Sequence, residues 1–278
     1  MSVFVQQSGS VCEFSNSDSW VILSPIEQSI KRKIEAVGTP LKDWNINIYR
    51  GVLTGYNEAF IISTEKRDEI LANCQTEDER ARTAELIRPI LRGRDIKRYG
   101  YNWANLWLIN THNGIRGKLE RVHIEDYPAI KAHLDQYWDR ISKRADKGDT
   151  PYNLRNCAYL DLFFQPHICW KAVGRKLAFA LVEAGTFLTA PASFISAGRY
   201  NKTVLAFLCS TIGTYFVYKN SDTTGAGDIM LNIQSLIKFP IPKIDIDFDD
   251  FSDREIDLYI YDIYKFTKEE IHYIEELV

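Results

Sequence analysis

Short strand-like runs and helical stripes follow one another in this chain without regular alternation, and this irregular order is what most constrains the fold. A regular strand–helix–strand alternation would favour a parallel sheet, whereas a mixed order favours strands that pair mainly with antiparallel neighbours. No internal repeat at a fixed period suggests a solenoid or a propeller. The sequence therefore predicts an α+β fold with mixed, mostly antiparallel sheets and packed helices.

Periodicity and turn residues predict where these elements lie. Apolar side chains at steps of three and four mark two long helices, over residues 126–145 and 202–218. Ser24 ahead of Pro25 marks the start of a shorter helix over 25–36, because Ser is a favoured N-cap and Pro a favoured first residue. Further helices are predicted over 64–72 and 77–87 and from Ser252 and Thr267, and strand-like or extended segments over 45–50, 59–62, 105–110, 168–173, 177–182, 186–188 and 239–242.

Composition narrows the class of protein. With 45% hydrophobic and 13% aromatic residues, the 278-residue chain is too apolar for a disordered protein and long enough to bury a substantial core. No apolar run approaches the roughly 20 residues that span a bilayer, so we expect no membrane partner. The polar start, residues 1–18, lacks a secretory signal pattern and is predicted to be a disordered lead-in. Five cysteines without CxxC pairs indicate reduced thiols in the cytoplasm.

The net charge of -3 argues at first against a polyanionic partner, but the charge is unevenly distributed along the chain. Residues 82–121 hold nine Lys and Arg against three acids, a net of +6, and residues 140–176 hold eight against three, a net of +5. Residues 243–278 hold four basic residues against twelve acids, a net of -8. A surface divided in this way can attract a polyanion locally, although ordinary solvated faces are the competing explanation.

The residues that usually carry catalysis form no recognisable motif. The five histidines are not at metal-ligand spacing, no HExxH or GxSxG occurs, and the glycine-rich residues 223–228 lack the Lys-Ser/Thr of a phosphate loop. We therefore expect no catalytic residue, metal ligand or cofactor in this chain. A metal-dependent nuclease built around Asp161 and His167 is a minor alternative, since no paired carboxylates accompany them.

Three polar loops punctuated by glycine hold the candidate binding residues. The first spans residues 49–57 around Gly51 and Gly55, the second spans residues 88–99 around Gly93, and the third spans residues 143–155 from the end of the helix predicted over 126–145. Glycine permits close backbone approach, Lys and Arg bind phosphates, and Arg and Asn read base edges. The residues predicted to contact phosphates are Arg92, Arg94, Lys97, Arg98, Lys143, Arg144 and Lys147, and those predicted to lie at or near bases are Arg50, Thr54, Asn57, Asn153 and Arg155. For each arginine a structural ion pair is the competing explanation, with Asp95 the nearest partner in the second loop.

Several of these stretches also match, in order, the motifs of a known family. Residues 48–62, which contain Arg50-Gly51, Thr54-Gly55 and Asn57, resemble the opening of the TaqI-like C-terminal specificity domain. Further similar stretches are 90–99, 107–109, 127–130, 151–155, 205–210, 239–242 and 263–271. That domain is the target recognition domain of adenine-specific DNA methyltransferases and of type IIG restriction-modification enzymes.

The resemblance implies a function that the residues alone do not. It implies that residues 45–278 form a specificity domain for double-stranded DNA, with an acidic helical segment from about residue 244. Residues 1–44 would be a linker or the tail of a preceding region. The S-adenosylmethionine-binding and Asn/Asp-Pro-Pro-Tyr/Phe motifs of the full enzymes do not occur in this chain.

The methyltransferase domain, with its S-adenosylmethionine, is therefore expected in cis or as a separate subunit, with or without a fused endonuclease. The principal alternative is a protein-interaction module of a restriction or phage-defence complex that docks through the acidic C-terminal segment. The DNA target and the groove that is read do not follow from the sequence.

Overall fold

The structure, a computed structural model, describes residues 23–44, 46–174, 176–231 and 233–278. The lead-in predicted over residues 1–18 lies outside these residues, as does Asn45, the first residue of the predicted domain. Within the described residues no helix is long and apolar enough to cross a membrane.

Eleven α-helices lie in the described part of the chain. They are α1 (Pro25–Val37), α2 (Asn57–Phe60), α3 (Thr64–Ala72), α4 (Glu77–Leu86), α5 (Pro128–Asp135), α6 (Trp138–Ile141), α7 (Asn201–Cys209), α8 (Thr211–Asn220), α9 (Ile233–Leu236), α10 (Asp253–Tyr264) and α11 (Lys268–Leu277).

Thirteen short strands accompany these helices in the same residues. They are β1 (Thr39–Pro40), β2 (Ile48–Arg50), β3 (Ile61–Ser63), β4 (Ile87–Leu91), β5 (Leu106–Ile109), β6 (His167–Trp170), β7 (Val173–Gly174), β8 (Phe179–Val182), β9 (Phe187–Leu188), β10 (Ser193–Ile195), β11 (Asp222–Thr223), β12 (Ile229–Met230) and β13 (Pro240–Ile241).

The strands form two four-stranded sheets and two smaller ones. One large sheet has the order β2-β10-β6-β8 and is antiparallel throughout, and the other has the order β3-β5-β4-β9. In the second sheet only the β4–β9 pair is parallel. The remaining pairings, β1-β13 and β11-β12-β7, are antiparallel. The predicted α+β class with mixed, mostly antiparallel sheets is confirmed.

The β2-β10-β6-β8 sheet lies between two hydrophobic cores. Along β6, Cys169 packs into the core that holds the β3-β5-β4-β9 sheet, whereas Ile168 and Trp170 pack into the core that holds α1, α7, α8, α10 and α11. Successive side chains of a strand point to opposite faces, so one strand supplies both cores. All four residues of β6 are accordingly buried. This central sheet joins the two halves of the chain.

Two predicted long helices are divided in the structure. The helix predicted over 202–218 ends at Cys209 because the Ser210 side chain caps a new helix, accepting a hydrogen bond from Gly213 N at 3.1 Å. The helix predicted over 126–145 becomes α5 and α6, since Gln136 and Tyr137 donate to carbonyls three residues back and tighten the turn. In both cases the apolar stripe continues across the break, so periodicity alone does not reveal that the helix is divided.

Residues 25–44 pack against the C-terminal half of the chain. Ser24 caps α1 as predicted, through a reciprocal capping box with Glu27, and Ile30 and Ile34 are buried in the second core. Ser29 and Lys33 of the same helix bind Glu270 at 2.7 Å each. The domain boundary at residue 45 stays a prediction. Helix α1 precedes that boundary, yet it shares a hydrophobic core with α11.

Candidate nucleic-acid interface

A buried arginine joins the first and third polar loops. Arg144, 6% exposed, donates from Nη1 to the carbonyl oxygens of Thr54 and Asp146, the latter at 2.9 Å. Its Nη2 donates to the carbonyls of Pro151, at 3.1 Å, and Asn153, and its guanidinium stacks on the Phe60 ring at 4.3 Å. Burial lowers the pKa of this guanidinium to about 10, against the raising effect of Asp146, so it remains charged at neutral pH.

A buried asparagine joins the third loop to the segment after β5. The Asn153 Nδ2 donates to the carbonyls of His112 at 3.3 Å and Val122 at 2.9 Å. Thr150 Oγ1 donates to its Oδ1 at 2.6 Å, and the neighbouring Leu154 N donates to Thr111 O at 2.8 Å. Residues 110–122 and 146–156 are therefore held as one rigid unit.

The second loop lies near the first because residues 188–189 form hydrogen bonds with both. Val52 N donates to Leu188 O at 2.7 Å on one side, and Thr189 N donates to Leu91 O at 2.9 Å on the other. A Cβ on Gly51 would lie 2.5 Å from Leu188 O, so only glycine permits this approach. The start of the loop after β4 is thus about two strand spacings, roughly 10 Å, from the loop after β2. The structure brings the three predicted loops together.

An open cleft of about 190 Å³ lies where the first loop meets residues 110–114 and 154–160. We call it the Arg50 cleft, and its lining includes Arg50, Val52, Asn110, His112, Leu154, Arg155 and Tyr159. Tyr159 positions the first loop, since its hydroxyl donates to Arg50 O at 3.1 Å and its ring packs 4.5 Å from that of Tyr49. The cleft therefore has a fixed wall and an arginine from each of two loops.

Besides Arg98, seven of the predicted contact residues have exposed side chains on or beside these loops. They are Arg50, Asn57, Arg94, Lys97, Lys143, Lys147 and Arg155. Arg155 pairs with Asp146 at 2.8 Å, and Lys147 donates to the Ser142 carbonyl at 2.8 Å. No described residue bonds the Arg50 guanidinium. For these seven residues DNA contact stays a prediction.

For three other residues the structure corrects the predicted role. Arg144 and Asn153 are buried among backbone groups, and Thr54, 3% exposed, donates its hydroxyl to Asn57 Oδ1 at 2.6 Å. Arg144 was predicted to bind phosphate, and Thr54 and Asn153 to lie at or near bases. All three instead hold the loops in place, because their polar side-chain atoms, apart from the buried Arg144 Nε, are bonded within the protein.

Arg92 and Arg98 are engaged in ion pairs. Arg92 binds Asp95 through two parallel hydrogen bonds of 2.9 and 2.7 Å, the structural pair that competed with phosphate contact. Burial would raise the pKa of Asp95, but the hydrogen bonds from Arg92 outweigh it and lower that pKa. Arg98 donates to Cys209 O at 3.0 Å and pairs with Asp253 at the start of α10. Both arginines are therefore engaged in structural ion pairs, and phosphate contact by either stays a prediction.

The structure adds polar residues that were absent from the predicted set. A second cleft continues from the Arg50 cleft and is lined by Asn113, Arg116, Arg121 and Asn156. Asn113 Nδ2 donates to Asp149 at 3.0 Å and to Asn156, and Arg121 pairs with Asp149 at 3.3 Å. The signal that could have found the two arginines is their place in the +6 segment. Nothing local marks the two asparagines, because they meet only through the fold.

The described residues give no support to a nuclease centre. They contain no group of three or more His, Cys, Asp or Glu that could hold a metal ion. His167 is fully buried between the rings of Phe163 and Phe194, whereas Asp161 is exposed. The two residues of the nuclease alternative therefore do not share a solvent-accessible site.

Comparison with known protein families identifies the family of this chain. The model of the TaqI-like C-terminal specificity domain matches residues 88–241, more than half of the chain. No curated protein matches the chain. This family match confirms the resemblance seen in the sequence.

A solved structure shares the fold at low sequence identity. The type IIL restriction-modification enzyme MmeI in complex with DNA aligns over 83% of this chain and 35% of its own, with a TM-score of 0.52 and 11% identity. The type IIG restriction endonuclease BpuSI aligns over 86% of this chain and 27% of its own, with a TM-score of 0.49 and 16% identity. This chain thus spans about a third of the length of the first. By the family match, the chain belongs to the TaqI-like C-terminal specificity domains.

Proposed function

We propose that this chain binds double-stranded DNA sequence-specifically, as the target recognition domain of a type II restriction-modification adenine-N6 DNA methyltransferase. The observation that carries the proposal is that the three basic loops form one surface, because Arg144 joins the first loop to the third and residues 188–189 hold the second loop beside the first. Fixed loops keep exposed cations at set distances, which suits the regular spacing of phosphates along a duplex. Membership of the specificity-domain family and the fold shared with MmeI support the same function.

The catalytic part belongs outside this chain in our proposal. The methyltransferase domain and its S-adenosylmethionine lie in cis or on a separate subunit, with or without an endonuclease. This chain would hold the duplex so that the target adenine can be turned out of the stack into the catalytic domain. We propose the cytoplasm as its location, since the four cysteines that the structure describes are all free.

The protein-interaction alternative has weaker support from the described residues. Acids of the C-terminal segment are engaged with the protein's own cations, because Lys202 pairs with Asp247 at 2.7 Å and Asp249 at 2.5 Å, and Arg98 pairs with Asp253. These pairs reduce the charge that a basic partner could use.

The proposal is tested by duplex binding measured across salt concentration. We expect affinity to fall steeply with salt, and Arg50→Ala, Lys147→Ala and Arg155→Ala each to reduce the slope of log K against log salt by about one if the side chain binds a phosphate. Lys31→Ala is the matched control, since Lys31 is an exposed lysine on α1 whose one ion-pair partner among the described residues is Glu35. Affinity that does not change between low and physiological salt would refute the proposal.

A further inference from the structure

Asn110 is a buried residue whose side-chain oxygen has no hydrogen-bond partner among the described residues. It follows β5 directly, is 3% exposed, and lines the Arg50 cleft. Its Oδ1 is buried without a hydrogen-bond partner, and no described residue bonds its Nδ2. A buried carboxamide in a folded protein normally has its oxygen and nitrogen satisfied, so an unsatisfied one that lines a cleft points to a group from outside the chain.

The neighbouring side chains add further unsatisfied donors. His112 accepts a hydrogen bond at Nδ1 from Gly114 N at 3.2 Å, and burial lowers the pKa of its ring. A neutral ring that accepts at Nδ1 carries its proton on Nε2, and no described residue bonds that nitrogen. Among the residues that the structure describes, the exposed guanidinium of Arg50 has no partner and that of Arg155 has only Asp146. The cleft thus combines a buried neutral hydrogen-bonding group with two exposed cations.

The size of the cleft limits what can enter it. Its volume of about 190 Å³ exceeds the roughly 150 Å³ of an apolar cavity that admits a benzene ring, and it is too small for a stacked base pair. Val52 and Leu154 supply apolar walls. A single unpaired nucleobase offers adjacent donors and acceptors to a carboxamide and apolar faces to these walls, and its phosphate would reach the arginines.

We propose that the Arg50 cleft holds one unpaired nucleotide of the bound DNA, with its base hydrogen-bonded by Asn110 and its phosphate at Arg50 and Arg155. This inference rests on the proposed DNA-recognition function and adds to it a site in this chain for a base that leaves the stack. Asn110 is then a specificity-determining residue, since the base that fits its carboxamide best is preferred. The surface cations supply affinity for any sequence.

The test compares duplexes that differ in a single extrahelical position. The full chain is titrated with a fully paired duplex, with four duplexes that carry one bulged A, C, G or T, and with one that carries a bulged abasic nucleotide. The abasic bulge has the same backbone flexibility and phosphates but no base. We expect at least one bulged base to bind about tenfold more tightly than the abasic bulge, the size of one good side-chain–base contact.

The variant Asn110→Leu is expected to bring that ratio to about one while leaving the affinity for the abasic duplex unchanged. Leu has a similar size and replaces an unsatisfied group, so the thermal midpoint is expected to stay equal or rise. Arg50→Ala is expected to weaken all the duplexes together. Lys31 lies on α1 and does not line the cleft, so Lys31→Ala is expected to change the affinity for none of the duplexes.

Two results would overturn the inference. One is equal affinity of all four bulged bases and the abasic bulge, and the other is a base preference that Asn110→Leu leaves intact. Salt-dependent binding of the paired duplex in either case would leave the proposed function standing. Loss of paired-duplex binding as well would remove both proposals, so the two failures are distinguishable.

Discussion

At the scale of single residues, charge type and loop position did not separate binding side chains from structural ones. Arg144 and Lys143 are adjacent cations in the same predicted loop, yet one is buried on four carbonyls and the other is exposed. Guanidinium presents five donors in a fixed plane and can satisfy several carbonyls at once, which an ammonium cannot do with the same geometry. An arginine in a basic loop can therefore organise the loop itself.

Arg144→Ala is expected to lower the free energy of unfolding by about 3 kcal/mol or more, because it leaves several buried carbonyls without a donor. Urea unfolding followed by circular dichroism measures this loss. Arg144→Lys is expected to recover only part of it. Lys143→Ala is the control and is expected to change stability by less than about 0.5 kcal/mol. An Arg144→Ala protein with full stability but no DNA affinity would instead make Arg144 a direct contact.

At the scale of elements, side-chain hydrogen bonds set boundaries that the apolar pattern does not show. Ser210 is fully buried, donates to Phe207 O at 2.7 Å and caps α8. A side chain on Gly213 would collide with the Phe207 carbonyl, so the new helix starts tightly against the end of α7. By contrast, the predicted starts at Ser24, Ser252 and Thr267 are confirmed, since each has its capping box in the local sequence.

Ser210→Ala is expected to destabilise the protein by about 1–2 kcal/mol, because it removes the N-cap of α8 and a buried hydrogen bond. Thermal unfolding monitored at a helix-sensitive wavelength measures the effect. Ser252→Ala, an exposed cap, is the comparison and is expected to cost about 1 kcal/mol or less. No change in the Ser210→Ala midpoint would show that the bend between α7 and α8 is imposed by packing alone.

At the scale of the whole molecule, acidic side chains connect α1 to the C-terminal half. Glu27 accepts from Lys219 of α8 at 2.6 Å, and Glu270 of α11 accepts from Lys33. Burial would raise the pKa of Glu27, but hydrogen bonds from Lys219 and Ser24 outweigh it and lower that pKa to about 2. A carboxylate whose pKa is depressed by folding stabilises the protein only above its unfolded pKa.

Stability is therefore expected to fall as the pH drops from about 4.5, the ordinary value for Glu27, towards its folded pKa of about 2. Guanidinium unfolding at a series of pH values measures this dependence. Glu27→Gln removes the titrating group and is expected to flatten the curve in that window, while it lowers stability at neutral pH. A curve of the same shape for both proteins would assign the acid sensitivity to other carboxylates.

The acidic C-terminal segment is also part of the second core. Ile256, Ile260, Tyr264 and Ile274 are buried, and the Tyr264 hydroxyl donates to Pro240 O at 2.7 Å. Deleting residues 248–278 is expected to abolish cooperative unfolding, because it exposes the apolar faces of α7 and α8. Circular dichroism melting checks this expectation. A truncated chain that still melts cooperatively would show that the segment is a separable appendage.

The sequence by itself determined the fold class, the helix starts at Ser24, Ser252 and Thr267, seven of the thirteen described strands and the positions of the three basic loops. These features are local, since periodicity, capping residues and turn residues act within a few positions of the chain. It also determined the family, because the motifs occur in a fixed order along the chain.

Only the tertiary structure decided which polar residues are free to act. Arg144 and Asn153 became structural because carbonyls of their own loop and of distant segments surround them, and the Asn110 side chain lines the Arg50 cleft without a partner among the described residues. Whether a polar atom is satisfied depends on groups that lie dozens of residues away in the sequence. No local pattern encodes that, since burial and hydrogen-bond partners are properties of the assembled fold.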